Sequence, residues 1–466
     1  MSIDYSGLND KIVGRDMLIT VKNNHPLIQL AQALSWDDLA EIVMPDLKST
    51  TKKGRWWMGR ALRLRIHLGA YILQQIFNKT DRQTEYDIKD NAAHQLFCGR
   101  YVVKKWHYPD HTKIEEFRSR LSIITQQRFG NAIAGLAVKL GFADPAHIDI
   151  DSTIQEANMT YPNDSGLLCK LGKIAQRVAG YLNEKLFEFK IKPMEVNLKG
   201  IKSMARRYFF LKKNATQEEK NNRLSMLLDY VSKEVRLVVS NSRCMGENFV
   251  NNMPWNIRNI FCQLIEKADK YLKDVKHFLQ THQMVPDKIL SFHLNEVCCF
   301  TKNKPGKKYQ FGRIFHLARI KGNFLFSGKC QAPNMSDKKS VNLMLNTHQD
   351  IFNESPFSAS TDKGYYSAEN EKIMAEHGVT EIGIQRPDNV KKSRVKPLPR
   401  YREDELIDRR AGIEPLIGHA KHKGQLGRSR MKSDKTIEAS GFASILGFNL
   451  RQLIRYKIGK IRLEAT

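Results

Sequence analysis

The chain has 466 residues, with 76 lysines and arginines against 49 acids and a formal net charge of +27. At 41% apolar and 27% charged residues it has the make-up of a folded globular protein with room for several domains of about 100–200 residues each. No stretch approaches the roughly 18 consecutive apolar residues of a membrane span, and the first residues lack the basic-then-apolar pattern of a secretory leader. The cysteines (Cys98, Cys169, Cys244, Cys262, Cys298, Cys299 and Cys330) are odd in number, scattered and without a C-x-x-C, which argues against a disulfide framework or a structural zinc site. The expected setting is a reducing cytoplasm. The expected partner of so large a positive surplus is a polyanion, nucleic acid first and an anionic membrane surface second.

In chain order, the first 140 residues read mostly as helix. Residues 25–34 have apolar positions at helical spacing, Asp37 and Asp38 cap the next segment, and residues 60–77 are too densely apolar for one stripe, which predicts a buried helix. Thr112-Lys113-Ile114-Glu115 resembles a capping box opening a helix through Phe117 and Leu121. The texture then changes: residues 147–153 alternate as a strand, and residues 161–166 form a loop. Residues 167–285 return to helix, with many cations (Lys170, Lys173, Arg177, Arg206, Arg207, Lys212, Lys213). Strands over 297–300, 311–317 and 323–326, separated by Lys304-Pro305-Gly306 and Lys321-Gly322, form a meander in which Cys298-Cys299 reads as a buried pair. A helix over 337–350, a strand over 357–361, a helix over 367–377 and a strand over 381–384 follow. A basic loop at 386–402 leads to helices over 404–423 and 436–456. The sum is a mixed α/β sheet interrupted by a helical block.

Three acids stand out by position. Asp151 and Asp362 end two strands, and Glu414 lies in a helix that also carries Arg410 and Lys421. Strand ends bring carboxylates together from distant parts of a chain, and hard oxygen ligands of this kind suit Mg²⁺ or Mn²⁺ better than zinc. Two such ions about 3.5–4 Å apart serve phosphoryl transfer. Arg410, Glu414 and Lys421, spaced by four and seven residues, fall on one helical face, where cations flanking the carboxylate suit phosphate. Pro415 would kink such a helix unless the helix starts there. The plain alternatives are a turn aspartate at 362, a solvated Arg410–Glu414 pair, solvent-facing His419 and His422, and Asp149, on the same strand face, as the true ligand. The basic stretch 391–400 suits a DNA backbone. The tryptophans among the cations of 52–60, and the similar segment 104–108, suit either unpaired bases or a core.

The blocks Asp151-Ser152-Thr153-Ile154-Gln155-Glu156 with Tyr161-Pro162-Asn163-Asp164-Ser165-Gly166, Gly306-Lys307-Lys308-Tyr309-Gln310-Phe311-Gly312-Arg313, Thr361-Asp362-Lys363-Gly364-Tyr365-Tyr366, and Arg410-x3-Glu414-x6-Lys421 occur in that order. Together they resemble the DDE transposases of bacterial insertion sequences. Lys423, Arg428 and Arg430 continue the last block, and the helical segment from His25 to Leu121 resembles the domain that precedes the catalytic core in that family. The tyrosine that often stands three residues before the arginine is Ile407 here.

The resemblance implies an RNase H-like mixed-sheet core (146–166 plus 286–456), interrupted by a helical insertion (167–285) and preceded by an all-α N-terminal domain (1–140). It further implies that Asp151, Asp362 and Glu414 are catalytic and hold Mg²⁺ (or Mn²⁺), and that Arg410, Lys421, Lys423, Arg428 and Arg430 contact DNA phosphate. The implied partners are double-stranded DNA, as element ends and target, and a second copy in a synaptic complex at the prokaryotic nucleoid. The competing readings are a nuclease that cuts without joining and a DNA-binding protein without turnover.

Overall fold

The computed structural model describes residues 21–47, 61–99, 109–187, 193–211, 214–304, 307–386 and 398–464. The tryptophan-containing segment 52–60, the segment 104–108, Lys212, Lys213 and most of the basic loop (387–397) lie outside them. The chain divides into two compact units, one of 1–156, 313–431 and 435–466, the other of 157–312 with 432–434.

The first unit opens with α1 (Pro26–Ala33), α2 (Trp36–Leu47), α3 (Ala61–Phe77), α4 (Asp81–Asp90), α5 (Ala92–Phe97), α6 (His111–Arg120) and α7 (Ile123–Lys139). Local chemistry sets their starts. Pro26 takes the first position of α1, where its missing N–H costs nothing. Thr80 and Gln83 form a reciprocal capping box on α4. The cap of α6 is Asp110, not Thr112: its carboxylate accepts from the Lys113 amide at 2.9 Å, and the Thr112 hydroxyl donates to that same carboxylate. A charged acceptor already in place leaves the hydroxyl no capping role.

Strand β1 (Asp144–Glu156) follows, longer at both ends than the alternation predicts. The chain leaves for the second unit and returns at Arg313. Strand β3 (Lys307–Lys321) belongs to the second unit through Gly312, where it pairs antiparallel with β2 (Cys298–Lys304), and to the first unit from Arg313 onward, where it pairs with β4 (Phe324–Ser327). The meander is therefore present. β2 is an edge strand, however, so Cys299 is exposed and Cys298 only half-buried rather than a buried pair.

Helix α13 (Asp337–Phe352), β5 (Ser358–Thr361), α14 (Ala368–Glu376), β6 (Glu381–Ile384), α15 (Arg400–Arg410), α16 (Ile413–His422) and α17 (Asp434–Glu464) complete the first unit. Strand order is β3-β1-β5-β6 with β4 also on β3, and β5 runs parallel to both β1 and β6, so the sheet is mixed. The N-terminal helices are not a separate globule. Tyr71, Phe97 and Phe129 share one buried cluster with Ile148 and Ile150 of β1, Phe324 of β4 and Leu446 of α17. At the far end of β1 the buried Gln155 amide donates to the Gln425 carbonyl (2.9 Å) and the Ser440 hydroxyl (3.0 Å), tying the strand to the loop after α16 and to α17.

The second unit is mainly helical: α8 (Asp164–Lys185), α9 (Leu198–Phe209), α10 (Gln217–Arg243), α11 (Glu247–Asn251) and α12 (Trp255–Thr281). It has its own core, in which Leu171, Val178, Ile201, Val231, Phe261 and Tyr271 are fully buried. Its first helix begins at Asp164, inside the segment expected as loop, because the Asn163 side chain caps it by accepting from the Gly166 amide.

Candidate active site

In the parallel pairing of β1 with β5, Ile150 stands opposite Thr361. Asp151 and Asp362 are the next residues along the two neighbouring chains, which in a sheet run about 4.8 Å apart. Residues 211 positions apart in sequence are thus brought to one sheet end. β5 stops at Thr361, and Asp362 caps a short 3-10 turn (Lys363–Tyr365) by accepting from the Lys363 amide at 2.5 Å. The Asp151 carboxylate accepts from the Ser152 amide at 2.7 Å.

The third acid arrives on a broken helix. The sequence predicts a single helix over 404–423; instead α15 ends at Arg410 and α16 begins at Ile413, with Ala411 and Gly412 between them. Gly412 keeps helical torsions, and it lies against Arg319: a Cβ there would sit 1.8 Å from the guanidinium, so a larger residue would push that side chain aside. Pro415 then falls in the first turn of α16, where its ring is tolerated, and Glu414 precedes it in the same turn. Arg410 and Glu414 thus fall in successive helices, yet the helical torsions of Ala411 and Gly412 keep the pair together as the i,i+4 spacing predicts. They meet across the break, with Arg410 Nη2 3.5 Å from Glu414 and Nη1 3.7 Å from Asp151. Lys421 lies seven residues after Glu414 on α16, on the same face.

Asp149 is not the free ligand that its strand face would allow. It is 1% exposed and accepts from Arg409 Nε (2.8 Å) and the Ser360 hydroxyl (2.6 Å), with Arg319 Nε 2.9 Å from its other oxygen. Arg409 also donates to the Ser358 hydroxyl and the Ile148 carbonyl. Both carboxylate oxygens are thus occupied, and Asp149 anchors α15 to the sheet. Adjacent arginines serve adjacent tasks: Arg409 holds the structural aspartate and Arg410 leans on Asp151.

Burial pushes the Asp151 carboxyl up to about 6, and the neighbouring charges of Asp362 and Glu414 push the same way, against the Ser152 amide and Arg410. The Asp151 side chain is 19% exposed and that of Glu414 63% exposed, while Asp362 is also exposed. The three carboxylates are electrostatic neighbours at one sheet end. Among the described residues, no group of three His, Cys, Asp or Glu side chains closes around a common point as a metal cage does.

Tyr365, three residues after Asp362, is a member of this site that sequence reasoning does not single out. It is buried, lies within electrostatic reach of Asp337 and Asp151, and burial holds its hydroxyl well above the usual tyrosine range. Its one signal in the sequence is its place in the Asp362-Lys363-Gly364-Tyr365-Tyr366 block.

The remaining cations divide. Lys423 and Arg428 are exposed. The segment around Arg428 runs along the end of β1, with the Glu156 amide donating to the Gly427 carbonyl (3.0 Å) and the Ser429 amide to the Glu156 carbonyl (2.9 Å). Arg430 is exposed but donates to the Asn78 carbonyl at 3.3 Å, just beyond α3. His419 and His422 are exposed.

Comparison with known proteins bears on the N-terminal helices. Residues 16–120, the segment holding α1 to α6, match the family model described as a transposase domain (DUF772). The match supports a transposase of the insertion-sequence type. No curated protein and no solved structure matches the chain significantly. No helix among the described residues is long and apolar enough to cross a membrane.

Proposed function

We propose that the chain is a DDE-type transposase with an RNase H-like core, which cuts the ends of its mobile element and joins the freed 3′ ends to target DNA. The observation that carries this reading is the register of β1 and β5, which sets Asp151 beside Asp362, together with Arg410, which links Asp151 to Glu414. The transposase-domain match in the helices that precede this site supports the same conclusion.

The donor set fits a hard divalent cation. Three carboxylates crowd one sheet end, and their mutual repulsion contributes to the raised Asp151 carboxyl. A bound Mg²⁺ or Mn²⁺ would remove that repulsion, and Asp151, Asp362 and Glu414 would hold it. Its chemistry there is to polarise the phosphodiester and acidify the attacking hydroxyl. The chain's own residues do the rest. Arg410 sits between two of the acids and is placed to neutralise the phosphate beside them. Lys421, Lys423 and Arg428 would hold the strand on either side, as backbone contacts rather than base readers. Asp149, clamped by Arg319 and Arg409, keeps β1 and α15 at a fixed spacing so that Asp151 and Arg410 stay in place.

The test uses a plasmid carrying the gene with its flanking DNA, incubated with the protein and Mg²⁺ or Mn²⁺. The expected products are breaks at the element ends and joined target DNA, both lost in Asp151→Asn. Cleavage without joining would make the protein a nuclease. DNA binding with no cleavage under either metal would overturn the enzymatic reading.

A further inference from the structure

We propose that the helical unit inserted after β1 carries a nucleic-acid face of its own, formed by α8 and α9, which holds the phosphate backbone of duplex DNA. For its partner this rests on the transposase reading, but not on the active site. Residues 157–312 contain 27 lysines and arginines against 14 acids, so nearly half of the chain's positive surplus lies in a third of its length. That charge is not spread evenly.

The cations gather at one helix seam. A Cβ on Gly172 of α8 would lie 2.6 Å from Ile201 of α9, so the glycine is what lets the two helices pack this closely, and Ile201 is fully buried there. Lys173 and Lys202 are the next residue on each helix. Both act on the half-buried Cys169, one turn before Lys173, so they flank the seam from its two sides. Lys170, Lys173 and Arg177 continue along α8 at helical spacing, and Lys199, Lys202 and Arg206 do the same on α9. Lys173, Arg177, Lys199, Lys202, Arg206 and Arg207 are exposed. None of them forms an ion pair among the described residues. Lys170, which donates to the Thr160 hydroxyl at 3.3 Å, is held below the usual lysine range by burial and by Lys173. Cations gathered against their mutual repulsion call for an anionic partner.

The spacing of that charge favours a polyanion rather than a single ion, because it runs along two helices over several turns. A basic amphipathic helix also suits an anionic membrane, and Phe209 and Phe210 are exposed at the end of α9. Yet the apolar side of α9 is already used: Ile201 is buried, and Met204, Ala205 and Tyr208 pack on the unit's own core. What remains outward is charge with an aromatic pair at one end, which suits a sugar-phosphate backbone.

The experiment measures binding of the full chain to a random-sequence duplex of about 30 base pairs, in EDTA so that no catalysis intervenes, across a salt series. Lys173→Ala/Lys202→Ala/Arg206→Ala is compared with a charge-matched set on α10 and α12, Arg236→Ala/Lys273→Ala/Lys276→Ala. Each lost phosphate contact flattens the slope of log K against log salt by about 0.9, so the first set should flatten it by about 3 and weaken binding at low salt at least about tenfold. The control set should change neither. Lys202→Gln alone, which leaves the packing untouched, should flatten the slope by about one. Equal effects of the two sets, or no effect of the first, would overturn the proposal. So would loss of binding to phosphatidylserine vesicles with duplex binding unchanged. Because no cutting is measured, a failure of the catalytic reading leaves this result interpretable, and the reverse holds too.

Discussion

Asp149 and Asp151 lie two residues apart on one face of β1, and the fold uses them differently. The first is sealed between Arg319 and Arg409, while the second is left beside two more carboxylates, with Arg410 leaning on it and the Ser152 amide donating to it. One is an anchor and the other has the character of a working group. The contrast gives opposite expectations for the same chemical change.

Asp149→Asn should destabilise the protein strongly. It would leave two arginine side chains without their buried counter-charge, a loss of about 3–5 kcal/mol. Urea denaturation of the full chain reads this directly. A variant that unfolds with the wild type would show that the clamp does not hold α15 to the sheet.

Asp151→Asn should stabilise it, and only at higher pH. The Asp151 carboxyl sits near 6 in the folded chain against an ordinary value of 3.8. Between those two values the folded state keeps a proton that the unfolded state has released, so stability falls as pH rises through that window and stays lower above it. At pH 8 the asparagine should gain on the order of 3 kcal/mol, and below about pH 3 the difference should vanish. Magnesium should raise the melting temperature of the wild type at pH 8 and leave that of the variant little changed. A wild type indifferent to magnesium would speak against the carboxylates as its ligands.

Arg410→Gln removes the cation 3.7 Å from Asp151 and 3.5 Å from Glu414. The Asp151 carboxyl should rise further, moving the acid limb of the pH–rate profile for strand cleavage to higher pH. The plateau rate should fall about a hundredfold, the usual cost of losing a group that stabilises developing charge. Arg410→Lys should restore part of the plateau. An unshifted profile would mean that Arg410 serves only as a surface ion pair.

Gly412→Ala places a methyl where the Arg319 guanidinium passes. The arginine must leave Asp149, or the break between α15 and α16 must move and carry Glu414 with it. Either way a loss of about 1–3 kcal/mol is expected, as for other overpacked sites. Cleavage should fall with it, and Arg319→Gln in the same background should recover part of the stability. No recovery would place the strain elsewhere.

Much of this architecture is legible in the amino-acid order. The strand around Asp151, the meander and the short strand 381–384 follow from alternation and turn residues, which are local signals. Which aspartate faces the site is not legible, because Asp149 and Asp151 share a face. Only the arrival of Arg319 and Arg409 from far along the chain separates them. The helix break at Gly412 is hidden because Arg410-x3-Glu414 has helical spacing, which the two residues keep across the break. The N-terminal helices read as a separate domain because their periodicity is self-sufficient, yet their buried face is completed by β1, β4 and α17.

The clamp on Asp149 also sets a timetable. Arg409 follows its partner by 260 residues, which at synthesis rates of about 5–20 residues per second amounts to roughly 10–50 s of ribosome travel. Until then the anchor of α15 cannot form, and Glu414 lies further along the same stretch. The Asp151, Asp362 and Glu414 cluster is thus completed only after the inserted helical unit has been made, with its cationic seam already in place.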